Sequence, residues 1–147
     1  MGLKSIVLTG LLITTCGCAG SSYTIQPLSI PATSINKVCV IDNPSLPDEV
    51  QGLVNRTVNQ KNGVAAFPIS APSVANEIGC QIYMTYGGAT TTDIVSFMTA
   101  FNVAIYETSS HTRVASASGK VPNNLRLDKW EASKALIVEM VANVMSN

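Results

Sequence analysis

The chain has 147 residues, enough for a single domain. Charged residues make up 12% of it and the formal net charge is zero; once Lys4 is assigned to a leader, the remaining eight basic residues face nine acidic ones, a net of −1. That leaves no basic stripe to hold nucleic acid and no polybasic patch for anionic lipid, so any membrane attachment must be covalent or lie in the N-terminal segment.

Residues 5–15 (SIVLTGLLITT) form an apolar run behind the single charge of Lys4, the pattern of an export signal. The run is too short, and too interrupted by Gly10 and threonines, to cross about 30 Å of hydrocarbon as a helix. Myristoylation at Gly2 would want Ser or Thr at position 6, where this chain has Ile6.

The run ends in Cys16-Gly17-Cys18-Ala19. Small residues and cysteine after a short apolar run resemble a lipobox, where bacterial lipoprotein signal peptidase cuts before a cysteine that becomes the acylated N terminus. Cys18 follows the favoured small residue Gly17 but has Thr15 where an aliphatic belongs. Cys16 has Ile13 at that place but follows the bulkier Thr15. Cys18 is the preferred anchor and Cys16 the alternative, with an ordinary cleaved signal as the plainer reading. Neither Gly17 nor Ala19 is the aspartate that retains lipoproteins in the inner membrane. The resemblance therefore implies a chain anchored by lipid to the outer membrane and facing the periplasm. Its organisation would be a leader over 1–17, a lipidated tether over 18–36 and one domain over 37–147.

Residues 19–36 are rich in Ser, Thr and Pro. They read as a coil spanning roughly 25 Å, with Ile25, Leu28 and Ile30 available to pack on a domain edge. Residues 37–42 form a short apolar run closed by Asn43-Pro44, hence a buried strand. A helix follows, with Pro47 in its first turn, Asp48 and Glu49 at its positive end and Gly63 as its cap. Val50, Leu53, Val54, Thr57 and Val58 make its apolar stripe. Residues 64–69 are a strand that Pro68 confines to an edge, and 72–79 a loop or one helical turn.

In the β-rich half, residues 80–86 alternate, which sets Cys80, Ile82, Met84 and Tyr86 on one side. Gly87, Gly88, Thr90, Thr91 and Thr92 are turn material. Residues 93–107 form a long strand with Val95, Phe97, Phe101, Val103 and Ile105 on one face, and Ile94, Ser96, Met98, Ala100, Asn102, Ala104 and Tyr106 on the other. Residues 113–120 return as a strand of alternating Ser and Ala. Asp128 then caps a last helix, Glu131 is placed for a capping box, and Trp130, Ile137, Met140, Val141 and Val144 face the core. The order β-α-β-β-β-β-α predicts an α+β two-layer sandwich. Its sheet would have four to five mostly antiparallel strands, with two helices on one face.

Outside the leader region only Cys39 and Cys80 remain. In an oxidising compartment such a pair can bridge, and closing about 40 residues is worth roughly 4 kcal/mol by chain-entropy arguments. Two buried thiols are the alternative. A redox role is disfavoured, because the spacing is not C-x-x-C.

The run Lys37-Val-Cys-Val-Ile-Asp-Asn-Pro44, the run Gly79-Cys-Gln-Ile-Tyr-Met-Thr-Tyr86 and the Lys129-Trp130 helix start resemble a group of small Gram-negative envelope lipoproteins of unassigned function. The element order is also similar to the N-terminal domain of the Tol-system protein TolB and to LpoB, a lipoprotein that activates a peptidoglycan synthase. That second likeness concerns fold order alone.

No catalytic residues and no cofactor emerge from the pattern. His111 is the single histidine and sits in a predicted turn; no G-x-S-x-G is present, and one histidine with a lone cysteine pair offers no zinc spacing. The expected function is a non-enzymatic envelope module. It would contact a protein or peptidoglycan partner through the polar face of the long strand and Gly87, Gly88, Thr90, Thr91 and Thr92. The alternatives are a small-ligand carrier with a pocket near Tyr83, Tyr86 or Tyr106, and an accessory lipoprotein of a secretion, conjugation or cell-wall machine.

Overall fold

The computed structural model describes residues 22–61, 63–92, 96–121 and 128–146. The leader, both anchor candidates Cys16 and Cys18, and Val95 lie outside the described residues. In chain order the elements are β1 (Ser22–Gln26), a 3-10 turn (Ala32–Ser34), β2 (Lys37–Ile41), α1 (Asp48–Asn59), β3 (Ala65–Ile69), α2 (Pro72–Ile78), β4 (Ile82–Thr92), β5 (Ser96–Glu107), β6 (Arg113–Lys120) and α3 (Lys129–Val144). The strands form one mixed sheet in the order β1-β6-β5-β4-β2-β3. From β1 to β4 neighbours are antiparallel, whereas β2 runs parallel to both β4 and β3.

The class is α+β, as the periodicity predicts, and α1 and α3 pack together on one face. Val50, Val54 and Val58 of α1 and Ile137, Met140, Val141 and Val144 of α3 meet Val38, Val40, Ile82, Met84, Phe101, Val103 and Ile105 of the sheet in one buried core. Two details enlarge the expected plan. The sheet has six strands rather than four or five, and α2 forms a third helix. It lies on the opposite face, where Ala75 joins Cys39, Ile69, Cys80 and Tyr83 in a smaller cluster.

The sixth strand comes from the stretch expected to be tether. Residues 22–26 alternate, and the apolar members Tyr23 and Ile25 pack against the main core. Tyr23 donates its phenol proton to Glu139 at 2.6 Å and accepts from the Asn143 amide at 2.9 Å, which fastens β1 to α3. Leu28 and Ile35 are buried as well, so residues 22–36 belong to the domain.

Smaller corrections follow from local geometry. Helix α1 stops at Gln60, and Gly63 serves the next turn at φ +76° rather than capping the helix. The Asp128 side chain makes no capping hydrogen bond at α3; Glu131 instead holds Lys134 at 2.6 Å. Residues 87–92, expected to turn, continue β4 and pair with β5 as far as Thr92 opposite Ser96. A bulge at Thr99 of β5 reverses the alternation, since Ala89 faces Ala100 but Thr90 faces Met98. Met98 therefore joins Phe101 in the main core instead of the polar face. The Ser133 hydroxyl of α3 accepts from the Met98 amide at 3.2 Å and donates to the Lys129 carbonyl at 2.8 Å, which fixes the helix over the bulge.

Candidate functional site

Because α1 and α3 cover one face and α2 only the β3-β2-β4 end of the other, among the described residues the second face of β1, β6, β5 and the later part of β4 has no helix over it. The sequence builds that face from small polar residues. Strand register aligns Thr24, Ser118, Asn102 and Gly87 in one row across the sheet, and Gln26, Ser116, Ala104 and Thr85 in the next. Four strands at the usual spacing make a surface about 14 Å wide.

A shallow hollow of about 420 Å³ lies on it, lined among others by Thr24, Gln26, Asn102, Ala104, Arg113 and Ser116. Thr24 and Ser118 share a hydroxyl contact at 3.3 Å, and Ser116 donates to Gln26 at 3.3 Å. Among the described residues the side chains of Asn102 and Arg113 have no partner, so an amide and a guanidinium face solvent ready to bond.

One row beyond Ala104 and Thr85, Tyr106 stacks on Tyr83, with ring centroids 5.1 Å apart and planes 11° from parallel. The Tyr83 hydroxyl meets His111 Nδ1 at 3.2 Å. Burial, then the neighbouring Tyr106, pushes the Tyr83 phenol above its ordinary range. His111 is exposed in the β5–β6 turn at φ +54°, and its amide bonds the Glu107 carbonyl at 2.9 Å. Among the described residues no three His, Cys, Asp or Glu side chains are placed to hold a metal ion.

The five residues proposed from sequence as a contact loop do not form one surface. Gly87 lies on the open face, where a Cβ would come 3.2 Å from Asn102 Oδ1. Gly88 turns to the helix side; a Cβ there would press on the Ala100 carbonyl and on Met98. Thr90 and Thr92 line a separate hollow of about 360 Å³ with Pro47, Ser96, Phe97 and Trp130. Thr91 is exposed beyond the open face. The tyrosines are divided too. Tyr83 and Tyr106 sit in the smaller cluster and Tyr86 in the main core, on opposite faces of the sheet.

Thr24 and Gln26 were hidden in the supposed tether. Their signal was the polar half of a short alternation whose apolar half is Tyr23 and Ile25.

Cys39 and Cys80 form a disulfide with Cα atoms 5.8 Å apart, tying the middle of β2 to the segment between α2 and β4. Cys80 thus shares its side with Tyr83 rather than with Ile82, Met84 and Tyr86. It lies before the strand begins, where alternation no longer applies. Gly79, the αL cap of α2 at φ +78°, turns the chain there.

No protein-family model and no curated protein matches the chain. Solved structures do. Two described as PelC dodecamers from Paraburkholderia phytofirmans, one of them a single-substitution variant, superpose with a TM-score of 0.67 at 11% identity, over 86% of this chain and 99% of theirs. At that identity the likeness is one of fold.

Proposed function

We propose that this chain is a lipid-anchored, periplasm-facing module of the bacterial envelope that acts by docking another envelope component, with no chemistry of its own. The observation that carries the reading is the sheet face that no helix covers among the described residues. Its small side chains keep backbone and polar groups close to the surface, and Asn102 and Arg113 offer directional contacts at the centre and rim of the hollow. The Cys39–Cys80 bridge supports export, since such bonds persist in oxidising compartments. The lipobox-like Cys16-Gly17-Cys18 supports the anchor.

The partner is a protein or peptidoglycan. A second copy of the chain is one such protein, for two reasons. The solved neighbours are described as dodecamers, and β1 presents an edge without proline or charge, whereas Pro68 blunts the β3 edge.

A photo-crosslinking side chain placed at Asn102 or Ser118 in intact cells tests the reading. Adducts to protein or peptidoglycan should form at both positions and not at Ala135, which is exposed on α3. Absence of adducts at the sheet positions, or equal yield at Ala135, would remove the docking face.

A further inference from the structure

The link between anchor and fold sets which end of the domain meets the membrane, an inference that rests on the lipoprotein reading above. With Cys18 as the acylated residue, only Ala19, Gly20 and Ser21 precede Ser22, the first residue of β1. Four Cα steps reach at most about 14 Å even when fully extended. Strand β1 gives no further slack. It is bonded along β6 and held to α3 through Tyr23, Glu139 and Asn143. Anchoring at Cys16 would lengthen the reach to about 22 Å without changing its direction.

Ser22 pairs with Lys120, Lys120 with Ala100, and Ala100 with Ala89, so these four form one row across the sheet. Beyond that row, on the side from which the chain enters, β4 continues through Thr90, Thr91 and Thr92 before β5 returns at Ser96. At the usual strand rise the hairpin extends about 10 Å past Ser22, close to the full reach of the link. The first turns of α1 and α3 lie at this end too, joined by the hydrogen bond from Trp130 Nε1 to Glu49 at 2.9 Å. Here Pro47, Phe97 and Trp130 line the 360 Å³ hollow with Thr90, Thr92 and Ser96. The β5–β6 turn with His111 lies at the opposite end.

Charge does not orient the domain. Among the described residues Asp42, Asp48, Glu49, Asp128 and Glu131 outnumber Lys120, Lys129 and Lys134 around the helix starts, so anionic headgroups gain little there. The short covalent link does the orienting.

We infer that the β4–β5 hairpin end is the membrane-facing end of the domain, and that the surface of Thr90, Thr91, Thr92 and Ser96 is occupied by the headgroup layer of the bilayer. The strands then stand upright on the membrane, and the open sheet face looks sideways, free for a partner in the periplasm.

The test uses the full acylated chain in phosphatidylethanolamine–phosphatidylglycerol vesicles whose acyl chains carry bromine as quencher. An environment-sensitive fluorophore is attached to Thr91→Cys or, at the other end, to Ser109→Cys; both positions are exposed, and the native cysteines of the mature domain are bridged. The Thr91 probe should lose most of its emission and the Ser109 probe keep it. A long Gly/Ser spacer inserted between Ser21 and Ser22 should bring Thr91 back to the Ser109 level. The mass of the N-terminal peptide is read from the same sample. A chain without acyl groups would overturn the lipoprotein reading and this inference with it. An acylated chain in which Thr91 is quenched no more than Ser109 would overturn the orientation alone.

Discussion

The cysteine pair and Tyr86 carry opposite lessons about what side chains contribute. Cys39 and Cys80 were legible because setting aside Cys16 and Cys18 as anchor candidates left one pair, and the expected export implied an oxidising compartment. A bridge across 41 positions constrains the unfolded chain, so replacing both cysteines with Ala should cost about 4 kcal/mol in denaturant unfolding. A loss near zero would show that the unfolded chain is held compact without it. Tyr86 was not legible, because nothing in a β-alternation reveals whether a hydroxyl finds a partner. Its OH is buried and, among the described residues, unbonded. Burial pushes the Tyr86 phenol above its ordinary range; the nearby Asn43 backbone opposes the rise and the Asp42 charge adds to it. The folded state therefore keeps the proton where the unfolded chain, titrating near 10.0, releases it. Stability tied to this group is complete below that pH and is lost as pH climbs above it. Tyr86→Phe removes an unsatisfied donor, so it should leave stability at neutral pH unchanged or raise it by about 1 kcal/mol. It should also soften the alkaline loss of melting temperature. A clear drop at neutral pH would mean that the hydroxyl is bonded in solution.

At the scale of elements, strands β2, β3 and β6 and helices α1 and α3 were readable from their periodicity, and the two failures share a cause. A strand on an uncovered face carries Ser, Thr and Gln in the alternate positions, and in β1 only Tyr23 and Ile25 are left to signal burial. Such a stretch has the composition of a coil. In β4 the same polar face coincides with Gly87-Gly88, and the bulge at Thr99 of its partner breaks the expected alternation. What makes β1 an element is tertiary packing, and Gly119 of β6 shows how close that packing is. A Cβ at this position would lie 2.7 Å from Tyr23 Cβ, 2.9 Å from Met140 Sδ and 3.1 Å from the Ser22 carbonyl. Gly119→Ala should therefore push β1 and α3 away from β6 at a cost of roughly 1–3 kcal/mol. Backbone amides of β1 should lose hydrogen-exchange protection before those of β5. Unchanged protection of Tyr23 and Ile25 would mean that β1 is held by its ladder bonds alone.

For the whole molecule, the α+β class followed from the order of elements, whereas the position of the domain relative to its anchor did not, since it depends on where β1 begins. On the lipoprotein reading proposed above, a first strand that begins at Ser22 leaves three residues between Cys18 and β1, and this has a consequence for sorting. Recognition of a retention aspartate after the acylated cysteine has to act on residues outside the fold. Ala19 occupies that place when Cys18 is the anchor, and Gly17 when Cys16 is. Both precede β1, so substitution at either should leave the melting temperature of the domain unchanged. With Cys18 acylated, Ala19→Asp should move the protein from outer-membrane to inner-membrane fractions on a density gradient, while Gly17→Asp should impair cleavage by replacing the small residue before the cysteine. With Cys16 acylated the assignments reverse: Gly17→Asp relocates the chain and Ala19→Asp does nothing. If both variants stay in the outer membrane fully processed, the residue after the acylated cysteine does not direct sorting of this chain, and the proposed membrane placement loses that support.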